Sequence, residues 1–282
     1  MSKFKEIIGS DSDIKKNAEI SAKNEEISKD IKVYAKKCVS FIDLTTLEGS
    51  DTFEKVGSLC DKGMKPSVIP GLSCAAICIY PRFISFTKNK LKGSGLKTAS
   101  VATSFPSGQV PLDLKLQEVK YCIEQGAEEI DMVMSRGEFL SGNYGFVKDE
   151  IKQIKGLCNS SKHPVHLKVI LETGELKTNE NIYNASVLAI EAGANFIKTS
   201  TGKISPAATI ESAYVMLNAI NEHYENTSIR VGFKPAGGIR TTKEVLQYVS
   251  LVKNIVGNEW LKPELFRIGA SSLLDNLLKD ID

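Results

Sequence analysis

From residue 41 onward, short apolar runs recur along the chain, and each is followed by a stretch whose apolar residues repeat at helical spacing. The runs begin near Phe41, Ala76, Ala99, Glu129, His166, Asn195, Arg230 and Phe266, so successive starts lie 23 to 37 residues apart. Each interval has room for a strand, a helix and two loops. Asp113–Gln125 carries Leu114, Leu116, Val119, Cys122 and Ile123, while Thr178–Glu191 carries Ile182, Ala185, Leu188 and Ala189. Thr209–His223 carries Ile210, Ala213, Met216, Leu217 and Ile220. All three have the spacing of an amphipathic helix. Thr241-Thr242-Lys243-Glu244 fits a capping box, and Gly126, Gly193 and Gly257 follow helices as C-terminal stops do.

Continuous apolar strands alternating with helices imply a parallel sheet covered on both faces. Eight such units in about 240 residues predict an α/β fold, a (β/α)8 TIM barrel. An open doubly wound sheet is the competing arrangement. Against its nucleotide-binding forms, no G-x-G-x-x-G follows the first strand and no Walker A motif is present.

Residues 1–38 differ from this pattern. They are rich in Lys, Glu, Asp, Ser and Asn, and Ile20, Ile27, Ile31, Tyr34 and Cys38 fall on one helical stripe. The reading is an N-terminal helical extension over 1–38, packed on the end of a barrel domain over 39–282. A partner-binding helix is the alternative.

Composition narrows the function without naming it. Of 282 residues, 42% are apolar and 25% charged, and the net charge is +2, so charge makes no case for nucleic acid or a membrane surface. The six cysteines form no CxxC pair, which suits reduced thiols in the cytoplasm. No metal is expected: there are three histidines, and His163 and His166 are separated by Pro164. No apolar run reaches membrane-spanning length, and the charged N-terminus does not read as a secretory signal. No residue pattern fixes an oligomeric state; a homodimer is carried as an expectation.

The chemistry lies in charged residues set on apolar strands. Asp43 stands on the first strand, Asp131 on the fourth, Lys168 on the fifth, Lys198 on the sixth and Lys234 on the seventh. Buried charges need partners or must be neutralised. Five of them at the carboxyl ends of barrel strands, where the active sites of this fold lie, point to a site rather than to structural ion pairs. A lysine with an ordinary pKa of ~10.4 is almost wholly protonated at neutral pH. Burial or a neighbouring ammonium lowers that value and frees the amine to attack a carbonyl. Lys198 and Lys234 form such a pair, and composition leaves open which is the nucleophile. Asp131 is placed to move protons. Gly237-Gly238 and Gly269-Ala270-Ser271-Ser272 each lead into a helix, a setting in which backbone N–H groups bind phosphate.

Taken together, IDLTTLEGSDT, AAICIYPRF, GAEEIDMV, LKVILETGELK, AGANFIKTSTGK, VGFKPAGGIRT and RIGASS resemble the deoxyribose-phosphate aldolase family in content and order. The resemblance runs from about Phe41 to Leu278. It implies a class I aldolase that cleaves 2-deoxy-D-ribose 5-phosphate to D-glyceraldehyde 3-phosphate and acetaldehyde without a cofactor. It further implies that Lys198 forms the Schiff base, Lys234 perturbs it and Asp131 relays protons. Phosphate would meet Lys203, Gly237, Gly238, Ser271 and Ser272, with Asp43, Cys78 and Lys168 lining the pocket. The partner is then a small sugar phosphate, in deoxyribose phosphate catabolism. The alternatives are a Schiff-base or transaldolase-like enzyme on another sugar phosphate, and a barrel kept as a scaffold. Three departures from the family stand out: the extension, a C-terminus without the tyrosine tail of some members, and the residues of Pro106–Pro111.

Overall fold

The computed structural model describes residues 8–281. Eight parallel strands form its centre: β1 Ile42–Thr45, β2 Ala76–Ile79, β3 Lys97–Ala102, β4 Glu129–Val133, β5 His166–Ile170, β6 Phe196–Lys198, β7 Gly232–Lys234 and β8 Ile268–Ala270. They neighbour one another in chain order, and β1 also pairs with β8. Bridges from Phe233 to Phe266 and from Ala236 to Gly269 close the ring between β7 and β8. This is the (β/α)8 barrel that the spacing predicts. Every strand begins within two residues of the expected position.

The strands are short and apolar because helices cover them outside and their own side chains fill the inside. Ile77, Ile130, Val169, Ile197 and Phe233 are completely buried. The three expected amphipathic helices are observed as Leu112–Glu124, Asn179–Glu191 and Ile210–Thr227. Side-chain caps set the starts of the last two. The Thr178 hydroxyl accepts from the Asn181 N–H, and Thr209 forms a capping box with Ser212. Thr241 and Glu244 cap Thr242–Ile255 as the sequence predicts. Trp260 fixes the approach to β7. Its indole donates to the Val231 carbonyl at 2.9 Å and its ring meets Tyr224 edge-on at 5.0 Å.

The N-terminal segment corrects one expectation. It is not one helix with one stripe but three helices, Asp11–Ser21, Glu25–Lys29 and Ile31–Val39. Asn24 breaks the run, because its side chain accepts from the Ile27 N–H and starts a new helix. The buried face is therefore Ile14, Ala18, Ile27, Tyr34, Ala35 and Cys38, while Ile20 and Ile31 are 58% and 47% exposed. Residues 1–7 lie outside the described part. The first of these helices packs on Ile210–Thr227 and Thr242–Ile255, and the third packs on Leu273–Ile281. Asn254 secures the turn between the first two by donating to the Ser21 and Lys23 carbonyls, both at 2.9 Å. Ile31–Val39 then runs almost directly into β1. Among the described residues no helix is long and apolar enough to cross a membrane.

Candidate active site

Strand register brings the charged residues together. Asp131 on β4 stands opposite Lys168 on β5, and Lys198 on β6 stands opposite Lys234 on β7. Successive side chains of a strand point to opposite faces, so residues at inward positions of neighbouring strands converge inside the barrel. Asp131 is the hub. One carboxylate oxygen accepts from both Lys198 and Lys234 at 2.7 Å, and the other accepts from Lys168 at 2.7 Å. Lys234 also donates to Asp43. Lys168 reaches Glu129 at 2.7 Å and Asp43 at 3.5 Å. Arg267, just before β8, binds Asp43 at 2.6 Å and takes Glu129 with two nitrogens at 2.7 and 3.1 Å. Gly269 opens the space for this packing. A Cβ there would stand 2.7 Å from that of Ala236 and 3.3 Å from the Lys234 Cε.

The electrostatics separate the three lysines. Burial pushes the Lys198 pKa down, Asp131 opposes that shift, and the nearby Lys234 ammonium adds to it; the net direction is down. For Lys234, burial also acts downward, but Asp131 and Asp43 together outweigh it and the pKa is raised. Lys168 is raised further by Asp131, Glu129 and Asp43 against its burial. Burial alone would push Asp131 up; Lys168, Lys198 and Lys234 hold it well below the carboxylate range. One buried amine is thus poised toward neutrality beside two fixed ammoniums and an ionised carboxylate. That arrangement suits nucleophilic attack on an aldehyde.

Lys198 is 3% exposed, and its exposed part faces a cleft of about 520 Å³. The same cleft is lined by Lys203, Gly237, Gly238, Ser271 and Ser272. Gly237 has φ +84°, and a Cβ there would come within 2.7 Å of Ala207, so this turn requires glycine. Ser200 donates to the Ala236 carbonyl at 2.7 Å and ties the loop after β6 to the loop after β7. Lys203 crosses the mouth to Glu48 at 2.8 Å. Asp43, Cys78, Lys168, Asp131 and Lys234 do not line the cleft; they are fully buried in and beside the charged ring beneath Lys198. Burial pushes the Cys78 thiol up, away from the reactive thiolate.

Several residues of the site were not singled out from the sequence. Glu129 and Arg267 complete the buried ring. Glu129 lies two positions before Asp131 and so on the same strand face, a period-two signal that could have found it. Arg240 and Lys55 add positive charge to the cleft wall. Glu172, in the left-handed region at φ 59°, accepts from the Thr201 N–H at 3.1 Å and from its hydroxyl at 2.5 Å. Arg136 pairs with Glu172 at 3.2 Å and donates to the Pro106 and Ser107 carbonyls. The loops after β3, β4, β5 and β6 are joined by this one network, and it holds the Pro106–Pro111 segment at the rim.

A (β/α)8 barrel with a cleft and a cluster of ionisable groups at the carboxyl ends of its strands has the architecture of a TIM-barrel enzyme. Within that class the comparison is specific. The DeoC/LacD family aldolase description matches residues 37–279, and the chain belongs to that family. It is 47% identical to the mouse deoxyribose-phosphate aldolase and 46% to the human one, in each case over 87% of this chain and 80% of the relative. Among solved structures, the tetrameric deoxyribose phosphate aldolase of Aeropyrum pernix superposes with a TM-score of 0.69 at 25% identity. That likeness covers 90% of this chain and 97% of the other.

Proposed function

We propose that this protein is a deoxyribose-phosphate aldolase working through a Schiff base on Lys198. The carrying observation is that, among the described residues, Lys198 alone combines a lowered pKa, a place on the cleft wall and a carboxylate shared with a second lysine. Its neutral amine adds to the C1 aldehyde of 2-deoxy-D-ribose 5-phosphate, and loss of water gives an iminium. The iminium takes up the electron pair when the C2–C3 bond breaks, and the C3 hydroxyl proton leaves by a relay that includes Asp131. D-Glyceraldehyde 3-phosphate departs. The enamine is then protonated at carbon and hydrolysed to acetaldehyde. The bookkeeping closes without a metal or an organic cofactor, because the iminium is itself the electron sink.

Lys234 serves as the fixed charge that keeps Lys198 neutral. The phosphate is held at the far side of the same cleft by Lys203, the Gly237-Gly238 turn and Ser271-Ser272, where cationic and backbone donors converge. Asp43 and Lys168 act from below, holding the ring rather than touching substrate. We assign this chemistry to residues 39–282 and treat 1–38 as a packed extension. A cytoplasmic place in deoxyribose phosphate catabolism and a homo-oligomeric assembly belong to the same reading. The deciding test incubates protein with 2-deoxy-D-ribose 5-phosphate and cyanoborohydride and maps the adduct by mass spectrometry. The reading requires a single adduct on Lys198, lost in Lys198→Ala. No adduct, or one on Lys234, refutes it.

A further inference from the structure

The buried ring does not balance. Lys168, Lys198, Lys234 and Arg267 supply four cationic groups, while Asp43, Glu129 and Asp131 supply three carboxylates. At another buried pair the count closes: Lys115 faces the single carboxylate of Glu150 at 2.6 Å. An isolated excess charge in a desolvated site is costly, and the group that can give up a proton does so. Arginine cannot, in practice. Among the described residues, Lys168 contacts three carboxylates and Lys234 two, whereas Lys198 has only the Asp131 oxygen it shares with Lys234.

We propose that Arg267 is a positioning residue whose permanent charge occupies Asp43 and Glu129, makes the ring one cation over, and so forces Lys198 to be the neutral amine. The proposal rests on the Lys198 reading above and extends it to a residue that touches no substrate. Arg267 is 4% exposed and lies outside the cleft lining. Its other neighbours are the Pro263 carbonyl and the Phe196 ring. The titratable groups facing the ring from the surrounding elements are Cys74 just before β2, Cys78 on β2 and His166 on β5. All three contribute neutral forms at neutral pH, since burial pushes the two thiols up and the imidazole down.

The test is the acid limb of kcat/KM against pH, with Lys198 trapping by cyanoborohydride run in parallel on the full chain. In Arg267→Met three lysines face three carboxylates, so Lys198 keeps its proton. The limb moves to higher pH, activity near pH 7 falls at least about 10-fold, and it returns toward about pH 9. Arg267→Lys, which keeps the charge, holds the limb in place. Glu129→Gln deepens the excess and moves the limb to lower pH. The double variant Arg267→Met/Glu129→Gln restores one excess cation and brings the limb back, a rescue that a merely structural role would not give. A limb unmoved in folded Arg267→Met overturns the proposal. Should that variant not fold, a limb that stays or rises in Glu129→Gln does so. Absence of a Lys198 adduct in the unmutated protein is a different result, and it refutes the Schiff-base reading instead.

Discussion

Replacing Lys234 with methionine removes the ammonium that shares an Asp131 oxygen with Lys198, while keeping the length of the side chain. Lys198 and Lys234 each stand 2.7 Å from the same Asp131 oxygen, so their nitrogens are at most ~5.4 Å apart. At an effective dielectric constant of ~20, two unit charges at that distance repel by about 3 kcal/mol. That energy favours the neutral form of Lys198 and is lost in the variant. Since about 1.4 kcal/mol is tenfold, kcat/KM on the acid side of the profile falls roughly 100-fold. The sign is fixed: a lysine freed from a cationic neighbour holds its proton to higher pH, so the limb shifts alkaline and activity recovers as pH rises. Lys234→Arg keeps the charge and tests the volume. Asp131 and Asp43 retain Lys168 and Arg267 as partners, so the fold survives. The assay is a coupled measurement of D-glyceraldehyde 3-phosphate release across pH. A loss of the same size at every pH, with the limb unmoved, refutes the electrostatic role and leaves Lys234 as packing alone.

Three further outcomes follow from the rim and the ring. Glu48→Gln frees Lys203 from its ion pair at the mouth, and KM for the phosphate ester drops by up to about 5-fold in steady-state kinetics, the scale of an exposed pair. Glu172→Gln removes the carboxylate that gathers Thr201 and Arg136; KM rises about ten-fold while far-ultraviolet circular dichroism is unchanged. The carboxylates of Asp43, Glu129 and Asp131 are all held below their ordinary values. Groups depressed by folding stabilise the native state above the unfolded carboxylate range and lose that contribution as pH falls below it. The urea midpoint therefore drops from about pH 5 to about pH 2, and less steeply in Glu129→Gln.

The strands were legible because each is an apolar run bounded by turn residues, and burial on both faces leaves no other pattern. Asp43, Asp131, Lys168, Lys198 and Lys234 stood out as charges interrupting such runs. Glu129 escaped notice because it follows Glu128 at the edge of its strand, where a surface acid is ordinary. Arg267 precedes β8 by one residue and reads like a flanking charge. Whether a charge at a strand end turns inward depends on pairing with strands far away in the chain, and no local pattern carries that. The N-terminal stripe misled for a related reason: Ile20 and Ile31 share a helical spacing with buried positions, but the break at Asn24 resets the phase. Glu172 was hidden because its left-handed backbone and its grip on Thr201 exist only once the loops after β5 and β6 meet.

The closing bond of the barrel has a temporal meaning. Arg267 and Asp43 meet across 224 residues, and β1 finds β8 only when the final unit has been made. Contacts of that separation form late, because loop closure is costly until the rest of the chain is in place. Before then Asp43 and Glu129 lack Arg267, and the charged interior stands open along one seam. On the Lys198 reading proposed above, catalytic onset during refolding therefore reports on the last strand to arrive.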